Sequence, residues 1–169
     1  MWKRKKESKG AGDLAAIYDK SQKLIAEYES TQAYHLLDEM KVIKPQLQEA
    51  VSAMAALCSG HNEVKELKAV LAMAYNSLGG LSLYLQEYSE AWDFYETSRH
   101  FALESRVARE IVQATNNLGT VALKQGDFDV ALEQFEMAAS YCSDLSSEDK
   151  WMGKQIERNI EMAKRKLGQ

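Results

Sequence analysis

Proline occurs once in the 169 residues, at Pro45, cysteine twice and glycine nine times. A chain so poor in the residues that punctuate hairpins is not assembled from short strands and tight turns. The two cysteines, Cys58 and Cys142, are far apart and form no Cys-x-x-Cys pair. In apolar helical surroundings they read as free buried thiols rather than a disulfide framework, which fits a reducing compartment. No run approaches the ~20 consecutive apolar residues of a membrane span. The start, Met1-Trp2-Lys3-Arg4-Lys5-Lys6, is charged but is followed by no apolar core, so it is not read as a signal peptide. A cytoplasmic location is expected. An excess of positive charge is also missing: 21 Lys and Arg face 25 Asp and Glu, a net charge of −4. That balance weighs against nucleic-acid binding through the body of the protein.

The residues that are abundant, Ala, Leu, Glu, Lys, Gln and Met, are the strong helix formers, so the expected class is all-α. Residues 1–12 form a basic tail with Lys3, Arg4, Lys5, Lys6 and Lys9 close together, too charged to bury apolar area and expected to be disordered. Residues 13–169 read as one helical domain. Leu14, Ile17, Tyr18, Ser21, Leu24, Ile25 and Tyr28 recur three or four apart and share one helix face. Ser30 or Thr31 reads as a break and N-cap. A second helix carries Ala33, Tyr34, Leu37 and Met40. Pro45 is expected to stop it and to open a third helix with Leu47, Val51 and Met54 inward. Ser59-Gly60-His61-Asn62 reads as a turn. Helical patterns follow over 63–85, from 89 or 90 to a break near Ser105, on to Gln125 with Gly126 as a left-handed stop, and from Phe128 to about Cys142. Ser146 and Asp149 have capping-box spacing ahead of a last helix. That helix has Met152, Ile156, Ile160, Ala163 and Leu167 on one stripe and charges opposite, as expected of a terminal cap.

Internal repetition is the most informative signal. Residues 74–98 align without a gap on residues 114–138, a period of 40. The two share Ala74/Ala114, Asn76/Asn116, Leu78/Leu118, Gly79/Gly119, Leu83/Leu123, Ala91/Ala131 and Glu96/Glu136. The pairs Glu87/Asp127, Tyr88/Phe128, Asp93/Glu133 and Tyr95/Phe135 keep their chemistry. A small residue where two helices cross lets their backbones approach, and an aromatic on the second helix fills the space between one unit and the next.

This pattern resembles the tetratricopeptide repeat, an aromatic, then Leu-Gly, a small or aromatic residue and Ala-x-x-x-aromatic. Tyr75, Leu78, Gly79, Ser82, Ala91 and Tyr95 match one unit. Leu118, Gly119, Ala122, Ala131 and Phe135 match the next, with Thr115 in place of the first aromatic. The period exceeds the common 34 residues and resembles the extended-helix type of scaffolding and motor-adaptor proteins. The resemblance implies antiparallel helix pairs stacked in a right-handed superhelix. Residues 13–60 would be a degenerate repeat plus an extra helix, 63–104 and 106–143 repeats, and 147–168 a capping helix.

The resemblance further implies a binding function, since the first helix of each pair lines a concave groove. The residues placed there are Met73, Asn76, Gly80 and Tyr84 from one unit, and Gln113, Asn116, Asn117, Thr120 and Lys124 from the next. Carboxamides carry both donors and acceptors and can hold an extended peptide backbone. Family members with Asn in the first helix use it so, and Asn117 matches that Asn. The positions with which the chaperone-tail-binding subclass holds a C-terminal carboxylate are Tyr18, Gln22, Ser77, Gln113 and Asn117 here. None is a cation, so acidic chaperone tails are not expected to bind strongly.

The expected function is therefore a protein–protein interaction module or adaptor that takes a peptide or partner segment in the groove. A first alternative is self-association into a homo-oligomer through Trp92, Phe94, Phe101 and Trp151. A second is a regulatory module whose basic tail binds nucleic acid or a membrane surface. Catalysis, a metal and a cofactor are not expected. His35, His61 and His100 lack partners at ligand spacing, Gly79-Gly80 lies inside a helix rather than in a phosphate loop, and no nucleophile constellation occurs.

Overall fold

The computed structural model describes residues 16, 18–20, 22–23, 25–27, 36–58 and 65–168, with the side chains of Leu57 and Cys58 excepted. The basic tail, the break at Ser30 or Thr31, Ala33, Tyr34 and the turn at 59–62 lie outside these residues. Among the described residues the protein is all-helical, with no strand. Those between 16 and 27 are helical. Then come α1 (Leu36–Cys58), α2 (Lys65–Tyr84), α3 (Tyr88–Ser105), α4 (Ala108–Gln125), α5 (Phe128–Ser140), a 3₁₀ turn (Cys142–Asp144) and α6 (Trp151–Leu167). None of them is long and apolar enough to cross a membrane.

The break that sequence places at Pro45 is absent. One helix of 23 residues runs through it. The reason is the apolar stripe Leu36, Met40, Ile43, Leu47, Val51 and Met54, which continues in helical register across the proline and is buried throughout. An interior proline costs about 3 kcal/mol, whereas burying each of these side chains contributes about 1.5–3 kcal/mol. Pro45 itself is exposed, so its ring meets solvent rather than a neighbouring helix. Residues 46–58 are accordingly the second half of α1, not a separate helix.

Three connections, α2 to α3, α3 to α4 and α4 to α5, close in the same way. Gln86, Arg106 and Gly126 each take a left-handed conformation, with φ of 63°, 56° and 89°. At each, the amide of that residue and the next bond back to the preceding helix. Gln86 N bonds Leu83 O at 3.0 Å and Glu87 N bonds Ser82 O at 2.8 Å. The matching pairs are Arg106 to Leu103 and Val107 to Ala102, then Gly126 to Leu123 and Asp127 to Ala122. These double bonds satisfy carbonyls that a helix end leaves open. Only one of the three is a glycine, so the break at Ser105 carries no local glycine or proline signal although the backbone turns there as it does at Gly126.

Consecutive helices joined by such short turns pack as hairpins. Contacts also run between alternate helices, α2 to α4 and α4 to α6. The core falls into successive clusters: Leu47, Leu71, Leu78 and Leu81 between α1 and α2, Tyr95, Leu118 and Val121 between α3 and α4, and Phe135, Met152 and Ile156 between α5 and α6. Gly79 and Gly119 sit at equivalent crossings. A Cβ on Gly79 would stand 2.6 Å from the Tyr95 ring, and one on Gly119 2.5 Å from the Phe135 ring. Each aromatic thus presses on the glycine of its own helix pair and reaches the next pair on its other side.

The start of α6 departs from its expected cap. The Ser146 hydroxyl bonds the Asp149 carboxylate at 2.8 Å, so the two side chains satisfy each other rather than the helix amides. The helix begins later, at Trp151, with Lys150 at its N-cap position. The stripe on α6 is as expected: Met152, Ile156 and Ala163 are buried, and Ile160 and Leu167 half-buried.

Candidate functional site

The helices that open each hairpin share one exposed side, and a cavity of about 370 Å³ lies on it. Its floor is α2 and α4. From α2 come Asn76, Ser77, Gly80, Leu83 and Tyr84. From α4 come Arg109, Gln113, Asn116, Asn117 and Thr120. Gln22 and Ile25 form one wall, and Trp151, Met152, Gln155 and Ile156 of α6 the other; the Tyr95 ring reaches it from α3. The α4 residues are three or four apart, which aligns them along one face.

Of the nine groove residues named from sequence, Asn76, Gly80, Tyr84, Gln113, Asn116, Asn117 and Thr120 line the cavity. Met73 and Lys124 do not. Met73 lies one turn before Asn76 and Lys124 one turn past Thr120, both exposed outside the cavity. Of the walls, Gln22 is named from sequence only as a position where the resemblance places a carboxylate-holding residue, and Ile25, Trp151, Met152, Gln155 and Ile156 are not placed at the groove. Ile25 reads there only as part of an apolar helix face. The contribution of α6 is hidden because a terminal helix reads as a cap, with no following unit to give it an inner side. Arg109 was legible: it stands four residues before Gln113, on the same stripe. The cation of the cavity lining is thus Arg109 rather than the Lys124 that the sequence places in the groove, and it lies outside the five positions named for a carboxylate.

The carboxamides are joined to one another across the helices. Asn117 Nδ2 donates to Asn76 Oδ1 at 2.9 Å, linking α4 to α2. Asn159 Nδ2 donates to Asn116 Oδ1 at 2.8 Å, linking α6 to α4. Gln22 donates to Ser77 Oγ, and Ser77 donates to the Met73 carbonyl. Each junction along the floor therefore carries one side-chain bond. An asparagine side chain has two donors and an acceptor with two lone pairs, so Asn76 and Asn116, which accept here, keep their NH₂ groups for other bonds. Asn117 keeps its carbonyl oxygen.

At one end of the groove the charges gather. Arg109 Nη1 lies 3.6 Å from Asp149 Oδ1, an ion pair longer than a hydrogen bond. Glu110, beside Arg109, is only 8% exposed. Burial pushes its carboxyl above the ordinary range; Arg109 opposes this and Asp149 adds to it. Burial also raises the Tyr18 phenol, with Glu110 and Asp19 pushing the same way.

Compared with known proteins, the chain matches no family model, and no curated protein resembles it in sequence.

The other sequence candidates fall elsewhere. Trp92, Phe94 and Phe101 are half-buried. Phe101 stacks on Tyr75 with ring centres 5.6 Å apart, so these aromatics are engaged within the chain. Trp151 is 56% exposed. Cys142 is a half-buried free thiol rather than a fully buried one. Burial and then Glu157 raise its pKa, which lowers the thiolate fraction. Among the described residues no three His, Cys, Asp or Glu side chains cluster. His100 is exposed and faces Glu104 at 3.7 Å. His35 and His61 lie outside the described residues.

Proposed function

We propose that this protein is a cytoplasmic interaction module of the tetratricopeptide-like type, an adaptor whose groove takes an extended segment of a partner protein. The observation that carries the reading is the carboxamide floor, with Asn76, Asn116 and Asn117 bonded across the helices and still offering donors and an acceptor toward the cavity. An extended chain exposes amide N–H and C=O groups in alternation, and fixed carboxamides match both. The equivalent contacts of Gly79 with Tyr95 and Gly119 with Phe135 support stacked helix-pair units, and such units stack into a superhelix with a concave side. The lining argues for binding rather than catalysis, because carboxamides and a guanidinium do not exchange protons near neutral pH.

The test is nuclear magnetic resonance of the side-chain amides. The ¹⁵N-labelled full chain is titrated with pools of random decapeptides. Shifts at the Asn76, Asn116 and Asn117 NH₂ groups that saturate and disappear in the Asn76→Ala/Asn117→Ala variant are the expected result. Shifts confined to the convex helices α3 and α5 would sink the reading.

A further inference from the structure

The charge of the groove selects among partners, and the argument rests on the groove reading above. Among the described residues Arg109 is the sole charged side chain in the cavity lining; no Asp, Glu or Lys of theirs contributes. A basic segment placed there would meet no counter-charge, while its own charge would lose water. Arg109 is built differently from a guanidinium spent on structure. Its side chain is 55% exposed, and its nearest acid, Asp149, stands at 3.6 Å, beyond hydrogen-bonding distance. Asp149 instead accepts a 2.8 Å bond from Ser146, and its side chain is 17% exposed. Asp149 therefore holds Arg109 over the groove without using up its five N–H donors. Two residues beyond Asp149, the Trp151 indole lines the same cavity while more than half exposed, and Met152 and Ile156 lie behind it.

We infer that the Arg109–Trp151 corner receives an acidic side chain and an adjacent large apolar side chain of the bound segment, so that the partner is an extended stretch of neutral or acidic character. Arg109 forms charge-assisted hydrogen bonds with the acid. The indole face and Met152 cover the apolar neighbour. The carboxamide floor holds the backbone between them, without regard to sequence. The same selection excludes this chain's own start as the occupant, because Lys3, Arg4, Lys5, Lys6 and Lys9 make it basic.

The probe is an array of decapeptides in which acidic, basic, aromatic and neutral positions vary independently, read with the full chain and with Arg109→Gln, Trp151→Ala and Asn76→Ala/Asn117→Ala. Arg109 and Trp151 are exposed enough for these substitutions to leave the fold intact, and circular dichroism melts check it. The expected result is enrichment of peptides with an acid next to an aromatic or large aliphatic residue. Arg109→Gln then weakens such peptides about tenfold and abolishes the preference for Asp over Asn at the acidic position. Trp151→Ala lowers the preference for the apolar neighbour alone. Enrichment of basic peptides, or retained Asp-over-Asn preference in Arg109→Gln, overturns the inference and leaves the groove reading standing if the asparagine double variant still loses binding. No enriched peptide at all, or enrichment indifferent to the double variant, overturns both.

Discussion

The Phe135 ring fills the space in which a Cβ on Gly119 would stand, 2.5 Å from its Cε1 atom. The ring is fully buried, with Val112, Ala122 and Ile156 in the same cluster, so it has little room to retreat. Gly119→Ala is therefore expected to destabilise the fold by about 1–3 kcal/mol, the usual range for overpacking. Gly79→Ala, facing Tyr95 at 2.6 Å, should behave alike. Urea unfolding curves measure both, and a midpoint unchanged by either substitution would mean that the crossing is looser than described.

The Asn117–Asn76 bond makes a second prediction, about coupling. Asn76→Ala and Asn117→Ala, singly and together, form a double-mutant cycle. A half-buried neutral hydrogen bond contributes about 0.5–1.5 kcal/mol, so the cycle should return an interaction term of that size. Strict additivity would show that the two carboxamides act independently.

Pro45 offers a stabilising change. Its ring is exposed, and the helix on both sides is intact. Pro45→Ala restores the amide that the Lys41 carbonyl lacks and relieves the ring's clash with it. The expected gain is about 1–3 kcal/mol, less the entropy returned to the unfolded chain. A lower melting temperature would mean that the ring is required in α1.

Lys44 ties α1 to the start of α3. It is 7% exposed and bonds both Glu87 and Glu90. Burial pushes its pKa down, but the two carboxylates outweigh that and raise it above 10.5. Stability from this lysine is thus complete below its unfolded value and is lost as pH climbs through the folded one. Lys44→Met removes the cation and leaves Glu87 and Glu90 side by side, so it should destabilise the fold at pH 7. The loss stays below the roughly 3–5 kcal/mol of a fully buried pair, because both carboxylates are partly exposed. The difference between wild type and variant should shift in the variant's favour above pH 10.5. A gap independent of pH would contradict the ion-pair assignment.

Glu110 shifts in the same direction as Lys44, but here the charged form is the one the fold penalises. Its folded pKa is raised above the ordinary value of 4.5, chiefly by burial. The native state then holds a proton more readily than the unfolded one, so the group weakens the fold at pH 7 and ceases to do so as pH falls through the folded and then the unfolded value. Glu110→Gln is expected to raise the melting temperature at pH 7, with the gain vanishing near pH 4. A gain that persists at pH 4 would point to a cause other than charge.

Much of this was legible in the residues. The 40-residue self-match aligned Gly79 with Gly119 and Tyr95 with Phe135 because a buried crossing tolerates few residue types, and that scarcity leaves a pattern; that each aromatic presses on the glycine of its own pair came from the structure. The floor of the groove was legible for the same reason: Asn76, Gln113, Asn116, Asn117 and Thr120 follow helical spacing. The turn at Gly126 was visible, whereas those at Gln86 and Arg106 share its backbone without its glycine. The walls at Ile25, Trp151 and Gln155 were not visible, because their meeting depends on how separate helices pack, which no spacing within one helix records.

The sequence by itself determined that the protein is helical, where most helices end and which face of each is apolar, since composition and periodicity act locally. Tertiary structure alone decided the rest. It carried α1 through Pro45, because the buried stripe outweighs one lost backbone bond. It directed the asparagines toward one another across helices, because each brings a donor within 3 Å of the next one's acceptor. It also set Arg109 beside Asp149 and Trp151 at the end of the groove. Asp149 and Trp151 lie 40 and 42 positions beyond Arg109 in the chain, and only the packing of the last helix and the turn before it against α4 brings them to the same groove.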